Sequence, residues 1–270
     1  MFTITLTGNS SDRLMPVNRI HTTAIVDEES LLASETRIGS HARLIGDVRT
    51  EANVFIDSNV VVYGPVTLGS GTYLAPNCVL GFPDSSELTK ISRSEKPPTR
   101  RKTTIIGKNC VIRSGTTIYS DVHIADEVIF GHNVVIREGV TVGKGTKLGT
   151  NVVIDGSSRI GSKVSIQTGV YICTYSTVED RVFLGPRCVF TNDKYVMQKP
   201  FKLVGPTVKK GASIGANALL FPGVTIGEGA VVGSQSMVNS DVPDRTIFVG
   251  IPAKKLRTVP KEWHSALLGN

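Results

Sequence analysis

The apolar residues of this chain recur with a period of six. Every sixth residue from Ile106 to Phe190 is Ile, Val, Leu or Phe, and a small or β-branched residue stands two places before each. The same order holds from Val26 to Leu80, where Thr50 is the one polar member, and again from Val208 to Val238. A half-buried strand alternates with a period of two and a helix repeats every 3.6 residues, so neither explains this pattern.

The six-residue period predicts a solenoid in which each repeat is one short strand followed by a corner. Residues two apart lie on the same face of a strand, so the large and the small position of each repeat both point inward. One coil cannot bury its own apolar face, and the coils must therefore stack into a continuous core. With three repeats per coil, we expect about ten coils and a prism about 50 Å long.

Two segments depart from the period and predict excursions from the prism. Residues 81–103 shift the frame by two and are rich in Pro, Ser and charged residues, which indicates a loop. Residues 191–207 keep the frame but would bury Lys202, so this segment must also leave the prism. The expected organisation is an N-terminal cap at 1–19, N-terminal coils at 20–80, an insertion loop at 81–103, main coils at 104–240 including the loop 191–207, and a tail at 241–270 that contains a short C-terminal helix.

The charge of the chain favours an anionic small-molecule ligand. The formal net charge is +7 and the isoelectric point is about 9.3, which attracts polyanions. No nucleic-acid-binding motif is present, and aromatic residues are not interleaved with the basic ones. We therefore expect a coenzyme or a nucleotide-linked sugar as partner rather than nucleic acid.

The cysteines and the apolar runs predict a cytoplasmic protein without a membrane partner. The four cysteines are scattered without a CxxC pair, and three of them occupy inward positions of the repeat, where Cys acts as a small hydrophobic residue. No run of 18 apolar residues exists, and the N-terminus lacks the basic and apolar regions of a signal peptide.

Several segments resemble the hexapeptide-repeat acyltransferases. They include GHNVVIREG, VEDRVFLGPRCVFTND and DVPDRTIFVGIPAKK, and the resemblance extends from about Thr104 to Arg257. It is strongest to N-acetyltransferases that act on nucleotide-linked amino sugars, of the UDP-2-acetamido-3-amino-2,3-dideoxy-glucuronate type. This resemblance implies an all-β, single-stranded, left-handed parallel β-helix, a homotrimer, acetyl-CoA as co-substrate and no metal. The left hand rests on the resemblance alone, because the general crossover rule favours the right hand.

The resemblance places two residues at the reaction site. His132 follows the inward Phe130 by two positions and projects from a corner, where it binds substrate or handles a proton; the alternative is an ordinary surface histidine. Asn192 opens the second loop, where its amide orients the acceptor amine or donates to the thioester oxyanion; the alternative is a turn-forming Asn. More than three coils separate the two, so we expect a neighbouring subunit or an extended substrate to link them.

A second group of residues is predicted to bind coenzyme A in a groove between subunits. Ala216 and Ser234 are 18 residues apart and therefore occupy the same corner on successive coils, where the resemblance implies contacts with the pantetheine amides. Relatives usually carry Ala where Ser234 stands. Lys254, Lys255 and Arg257 follow the VGIPA turn and pair with the coenzyme phosphates in this interpretation; a solvated basic tail is the alternative.

The expected reaction is direct attack of an unprotonated amine on the thioester, for which alignment supplies much of the rate. Three rival functions stay open. The chain can acylate the amine or hydroxyl of another small acceptor, such as an amino acid, an antibiotic or a simple sugar. It can be a non-catalytic scaffold. It can be a metalloenzyme like the γ-class carbonic anhydrases, although only His123 and His132 are close in sequence and their spacing differs from the one required.

Overall fold

A computed structural model describes residues 18–93 and 102–263 of the chain. These residues form a parallel β-solenoid with three long sheets and one helix, which confirms the predicted all-β class. The left hand of the solenoid stays a prediction. No helix among the described residues is long and apolar enough to cross a membrane.

Each turn of the chain contributes one short strand to each of three sheets. Strands three apart in sequence pair in parallel, and within an uninterrupted turn the paired residues are 18 apart, as in Ile129 with Lys147. The first sheet contains β1 (Arg19–Ile20), β4 (Arg37–Ile38), β7 (Phe55–Ile56), β10 (Tyr73–Leu74), β13 (Val111–Ile112), β16 (Ile129–Phe130), β19 (Lys147–Leu148), β22 (Ser165–Ile166), β25 (Phe183–Leu184), β28 (Ser213–Ile214), β31 (Val231–Val232), β33 (Thr246–Val249) and β34 (Lys254–Thr258).

The other two sheets complete the triangular section. The second contains β2 (Ile25–Val26), β5 (Arg43–Ile45), β8 (Val61–Tyr63), β11 (Val79–Phe82), β14 (Thr117–Tyr119), β17 (Val135–Ile136), β20 (Val153–Ile154), β23 (Tyr171–Ile172), β26 (Val189–Phe190), β29 (Leu219–Leu220) and β32 (Met237–Val238). The third contains β3 (Leu31–Leu32), β6 (Val48–Thr50), β9 (Val66–Leu68), β12 (Thr104–Ile106), β15 (His123–Ile124), β18 (Thr141–Val142), β21 (Arg159–Ile160), β24 (Thr177–Val178), β27 (Thr207–Val208) and β30 (Thr225–Ile226).

The solenoid has about twelve turns rather than the ten that the period predicted. The period accounts for the 31 strands from β2 to β32, and one more strand at each end of the described chain gives the first sheet twelve parallel strands. β1 precedes the first regular repeat, and β33 continues the first sheet beyond the last one through its pairing with β31.

The core is a single column of the residues that the period placed inward. Phe130 and Phe190 are the largest fully buried side chains, and the four cysteines are buried free thiols. Thr50 is also buried, and its hydroxyl is satisfied by the Thr36 hydroxyl at 2.9 Å and the Ala33 N–H at 3.1 Å. Every buried side-chain nitrogen or oxygen in the described part of the chain has a partner.

The corners of the turns stack into three edges, named here by the sheets that they join. On edge 1–2, for example, the Asn151 N–H donates to the His132 carbonyl at 2.9 Å, one turn away. The corners use the left-handed backbone region, which Asn and Gly tolerate best. Edge 1–2 shows this in Asn59, Asn77, Gly115, Asn133, Asn151 and Asn217, all with positive φ.

The first excursion leaves edge 2–3 after β11 and returns at β12. The sequence predicted a loop here, but the described part contains helix α1 (Ser85–Ser92). The side chain of Asp84 caps α1 by accepting the Glu87 N–H at 2.9 Å, so Asp84 and Glu87 form an N-terminal signature that was visible in the sequence. The sheets are continuous across the excursion, because β9 pairs with β12 and β10 with β13.

The second excursion also leaves edge 2–3, between β26 and β27. Lys202 is exposed on it, as the period predicted. Asp193 accepts the N–H groups of Tyr195 and Met197, and the Tyr195 ring packs edge-on against Phe201 at 5.2 Å. The excursion is therefore an ordered loop with its own small aromatic cluster.

The C-terminal end of the solenoid is closed by a hairpin. β34 runs antiparallel to β33, so Lys254, Lys255 and Arg257 lie on a strand. Residues 261–263 form a turn, and the rest of the predicted C-terminal helix lies outside the described residues, as does the predicted N-terminal cap up to residue 17.

Candidate functional site

His132 projects from edge 1–2, one corner beyond β16. Its side chain is exposed while the flanking Phe130 and Val134 are buried, so the imidazole points away from the core. Its own backbone is held in the corner ladder, with the His132 N–H directed at the Thr150 hydroxyl at 3.3 Å. The backbone thus fixes the position of His132 and leaves the ring available.

Edge 1–2 aligns His132 with the residues predicted to bind coenzyme A. The Gln235 N–H donates to the Ala216 carbonyl at 2.8 Å, which places Ser234 one turn beyond Ala216. Four turns separate His132 from Ala216, or about 19 Å at the usual spacing of parallel strands. The same corner position is occupied in order by His132, Thr150, Thr168, Pro186, Ala216 and Ser234.

The turns at the C-terminal part of this edge approach closely. A Cβ at Gly215 would lie 2.4 Å from the Ser234 nitrogen and 2.7 Å from the Gly233 carbonyl carbon. Any side chain at this position collides with the backbone of the next turn. The spacing between Ala216 and Ser234 therefore depends on glycine.

The basic hairpin lies over the end of edge 1–2. The Gly233 N–H donates to the Phe248 carbonyl and the Met237 N–H to the Gly250 carbonyl, at 2.8 and 3.0 Å. Lys254 pairs with Val249 across the hairpin, which brings its charge next to this edge. Lys255 and Arg257 are exposed on the same strand, and the Arg257 guanidinium lies 5.6 Å from the Trp263 ring centre, a contact that the sequence did not suggest.

Asn192 lies on edge 2–3, so it cannot contact His132 within one chain. Three turns and one corner separate them, about 15 Å along the axis. The Asn192 side-chain amide donates to the Thr174 carbonyl at 3.3 Å, and its backbone carbonyl accepts the Val204 N–H at 3.1 Å. Its second amide hydrogen and its Oδ1 have no partner among the described residues, so both are available to a ligand.

A cavity of about 450 Å³ opens beside Asn192 between edge 2–3 and the second excursion. Sequence reasoning missed it. It is lined by Tyr175, Lys202, Leu203 and Val204. The frame places an aromatic residue at corner position 175 of edge 2–3, which is unusual, but it does not locate the cavity.

The outer face of the second sheet is an apolar stripe bordered by both of these edges. One outward residue from each of its strands between β8 and β32, both included, forms the stripe, and all of them except Thr117 are apolar. Most are only half-buried in the single chain. They are Val61, Val79, Thr117, Val135, Val153, Tyr171, Val189, Leu219 and Met237. The corresponding face of the third sheet is largely polar, with Thr67, Ile105, His123, Thr141, Arg159, Thr177, Thr207 and Thr225.

The thiols of the chain are poor nucleophiles. Burial raises the pKa of Cys188 to about 12, and that of Cys78 and Cys173 to about 11. Burial also raises the pKa of Cys110. All four stay protonated near neutral pH, which disfavours a cysteine-bound acyl intermediate. Among the described residues, no three His, Cys, Asp or Glu side chains are grouped so that they can hold a metal ion.

Comparison with known protein families identifies the repeat. A family model described as bacterial transferase hexapeptide (six repeats) matches residues 47–81 and 103–138, and one described as hexapeptide repeat of succinyl-transferase matches residues 121–156 and 210–237. These matches show that the chain carries hexapeptide repeats of the kind found in bacterial transferases.

Individual proteins with similar sequences or structures show how far the likeness extends. A provisionally named acetyltransferase of Schizosaccharomyces pombe is 34% identical over 103 residues, covering 34% of this chain and 50% of that protein. The bifunctional protein GlmU of Paraburkholderia phytofirmans is 28% identical over 236 residues, covering 82% of this chain and 46% of GlmU. The solved UDP-N-acetylglucosamine acyltransferase of Francisella novicida is 18% identical with a TM-score of 0.49, covering 88% of this chain and 69% of that one. The chain spans about half the length of the curated relatives it matches.

Proposed function

We propose that this chain is an acetyl-CoA-dependent N-acetyltransferase that acts on the amine of a nucleotide-linked amino sugar. The observation that carries the proposal is the order of groups on edge 1–2. Cations at the C-terminal hairpin are followed by the small corner residues Ser234 and Ala216 and, further along, by the exposed His132. The cations and the two small corner residues match the phosphates and the pantetheine amides of an extended acyl-CoA, and His132 lies further along the same edge, on the acceptor side.

The reaction needs no covalent intermediate with the protein. The unprotonated amine attacks the thioester carbonyl, the C–N bond forms and the C–S bond breaks. The amine nitrogen loses one proton, and the departing thiolate of the coenzyme takes up one. Asn192 donates its free N–H to the developing oxyanion. Because Asn192 lies beside the cavity and less than one turn from the height of Ala216, we assign the reacting centre to the part of the groove next to Asn192.

His132 then binds the far end of the acceptor. It lies about 15 Å from Asn192 along the axis, so the two side chains do not act on one atom. An acceptor that consists of a sugar, a diphosphate and a nucleoside is long enough to span this distance. The alternative role of His132, proton removal from the amine, requires the thioester to lie three turns further along the edge.

A homotrimer supports this arrangement. We propose that the apolar stripe on the second sheet faces the three-fold axis. Since edges 1–2 and 2–3 both border that sheet, edge 1–2 of one subunit then meets edge 2–3 of its neighbour. The coenzyme groove of one chain thereby faces the Asn192 cavity of the next.

The assembly is tested with two matched glutamate variants of outward strand residues. Val153→Glu, on the apolar stripe, is expected to shift the sedimenting species from trimer to monomer and to abolish activity. Thr141→Glu, on the third sheet, is expected to leave the trimer intact. A trimeric Val153→Glu variant, or a monomeric wild-type protein at micromolar concentration, overturns the assembly.

The activity is tested by screening UDP- and dTDP-linked amino sugars with acetyl-CoA while following thiol release. The expected result is turnover with an amino sugar and none with its hydroxyl counterpart. Turnover only with amino acids, antibiotics or simple sugars would support an acyltransferase activity but contradict the proposed acceptor. Absence of coenzyme A binding would reject the enzyme and favour a scaffold.

A further inference from the structure

The cavity beside Asn192 has walls that the solenoid holds in place. Val204 donates its N–H to the Asn192 carbonyl at 3.1 Å, and its carbonyl accepts the Gly223 N–H at 3.0 Å. At Gly205 the excursion returns to the edge so closely that a Cβ there would lie 2.6 Å from the Ser176 nitrogen. The second excursion is therefore pinned over Tyr175 rather than suspended in solvent.

Tyr175 occupies a backbone conformation that suits a small residue. Its φ is +67°, and the other corner residues with positive φ along edge 2–3 are small or short: Asp121, Gly139, Ser157 and Gly223. A bulky side chain in this region costs free energy. The cost is not recovered by burial, because the Tyr175 side chain is 54% exposed, nor by a hydrogen bond of its hydroxyl to another described residue. At the wall of the cavity, an exposed ring without a partner among the described residues is free to contact a ligand.

Lys202 supplies a positive charge to the same cavity. It is exposed and makes no ion pair with any residue that the structure describes. The neighbouring Lys199 differs, because its ammonium lies 3.9 Å from the centre of the Tyr195 ring and helps to hold the loop together. The cavity thus offers an aromatic face, a cation without an ion pair among the described residues, and the apolar side chains of Leu203 and Val204. Asn192 is adjacent to it, because its carbonyl accepts the Val204 N–H.

We propose that Tyr175 and Lys202 form the sugar subsite of the acceptor. The Tyr175 ring packs against the apolar C–H face of the pyranose. Lys202 pairs with an anionic oxygen next to it, either of the diphosphate or of a sugar carboxylate. This packing directs the sugar amine toward Asn192. The inference rests on the proposed function, since it names the acceptor side of the same site.

The test exploits the conflict between backbone and ligand at position 175. Tyr175→Asn places a residue that tolerates the left-handed region, so the melting temperature is expected to stay or rise. The acceptor KM is expected to rise about 10-fold, the factor for one lost aromatic contact, with the acetyl-CoA KM unchanged. Tyr175→Phe keeps the ring and is expected to keep the acceptor KM.

The matched control is Lys163→Asn, which makes the same change at another exposed corner residue, with φ +54° on edge 3–1. It is expected to affect stability alone. An acceptor KM within about two-fold of wild type in Tyr175→Asn overturns the subsite, because a structural tyrosine would give that result.

Lys202→Ala separates the two anionic sources. If Lys202 pairs with the diphosphate, the variant weakens nucleotide-linked sugars, whether neutral or uronate, and leaves free amino sugars unaffected. If it pairs with the carboxylate, only uronate sugars are weakened. No change with any acceptor overturns the role of Lys202.

Failure of the proposed function is distinguishable from failure of this subsite. If wild-type protein transfers no acetyl group, binding of UDP-N-acetylglucosamine is measured by ligand-observed NMR instead. Loss of the signal in Tyr175→Asn but not in Lys163→Asn supports the subsite without catalysis. No binding by wild type, or equal binding by both variants, overturns it.

Discussion

The close approach of turns at Gly215 makes a quantitative prediction about stability. In Gly215→Ala, the new methyl group would lie 2.4 Å from the Ser234 nitrogen, so the turns must separate by about 1 Å to reach ordinary contact. The hydrogen bonds from Gly215 N–H to Val232 and from Gln235 N–H to Ala216, both 2.8 Å, would then exceed bonding distance. Two lost bonds at about 0.5–1.5 kcal/mol each, with overpacking at about 1–3 kcal/mol, give a loss of about 2–6 kcal/mol.

The assay is thermal unfolding at fixed protein concentration, beside the variant Gly145→Ala. Gly145 has φ +68°, but a Cβ there would meet nothing closer than 3.7 Å, so its substitution costs only the backbone strain of about 1–2 kcal/mol. We expect the larger drop in melting temperature for Gly215→Ala, on the order of 5–20 °C. The Gly215→Ala substitution should also raise the KM for acetyl-CoA, because Ala216 and Ser234 move apart. If the melting temperature of Gly215→Ala falls by no more than that of Gly145→Ala, contact with the neighbouring backbone is not the reason that position 215 requires glycine.

Further expectations concern the reaction, the thiols and the N-terminal turns. His132→Ala should lower kcat/KM about 10- to 1000-fold with the fold intact, through KM if it binds the acceptor and through kcat if it removes a proton; unchanged steady-state kinetics would make it a bystander. Asn192→Ala should lower kcat, because it raises the activation barrier by about 2.7–4 kcal/mol. A changed coenzyme Kd with unchanged kcat would instead make Asn192 a cofactor contact. Because their pKa values are raised, the four thiols should not react with an aromatic disulfide reagent at pH 8 in native protein and should react once it is denatured, as absorbance will show. A truncation that begins at Lys102 exposes open strand edges and should aggregate in light scattering, although it keeps every proposed site residue; a soluble, active trimer would contradict this.

The period of six predicted most of the fold because it reports directly on which residues face the core. It placed Phe130 and Phe190 inside, His132 outside and Lys202 away from the prism, and the structure agrees in each case. It did not reveal α1, because that helix is short and largely exposed and contributes little to the apolar pattern. It also missed the extra strand at each end, where β1 and β33 pair outside the regular repeats.

The candidate site was predictable only where its residues belong to the repeat. Spacing placed Ala216 and Ser234 on one corner, and the hydrogen bond between their turns supports it. The cavity beside Asn192 was not predictable, since it depends on where an irregular segment returns to the solenoid. The contact of Gly205 with the backbone at Ser176 determines that return, and no periodicity encodes it.

The positions of the two excursions suggest a division of roles between the edges of the solenoid. Both excursions leave the second sheet and return on the third, so both interrupt edge 2–3, while edge 1–2 runs without insertion from His21 to Ser234. An extended coenzyme needs a straight row of equally spaced backbone groups, which an uninterrupted edge provides. An acceptor of particular shape needs an irregular wall, which the pinned loop around Tyr175 and Lys202 provides. If the trimer packs through the second sheet, the regular edge of one subunit meets the irregular edge of the next, and each site combines one element of each kind.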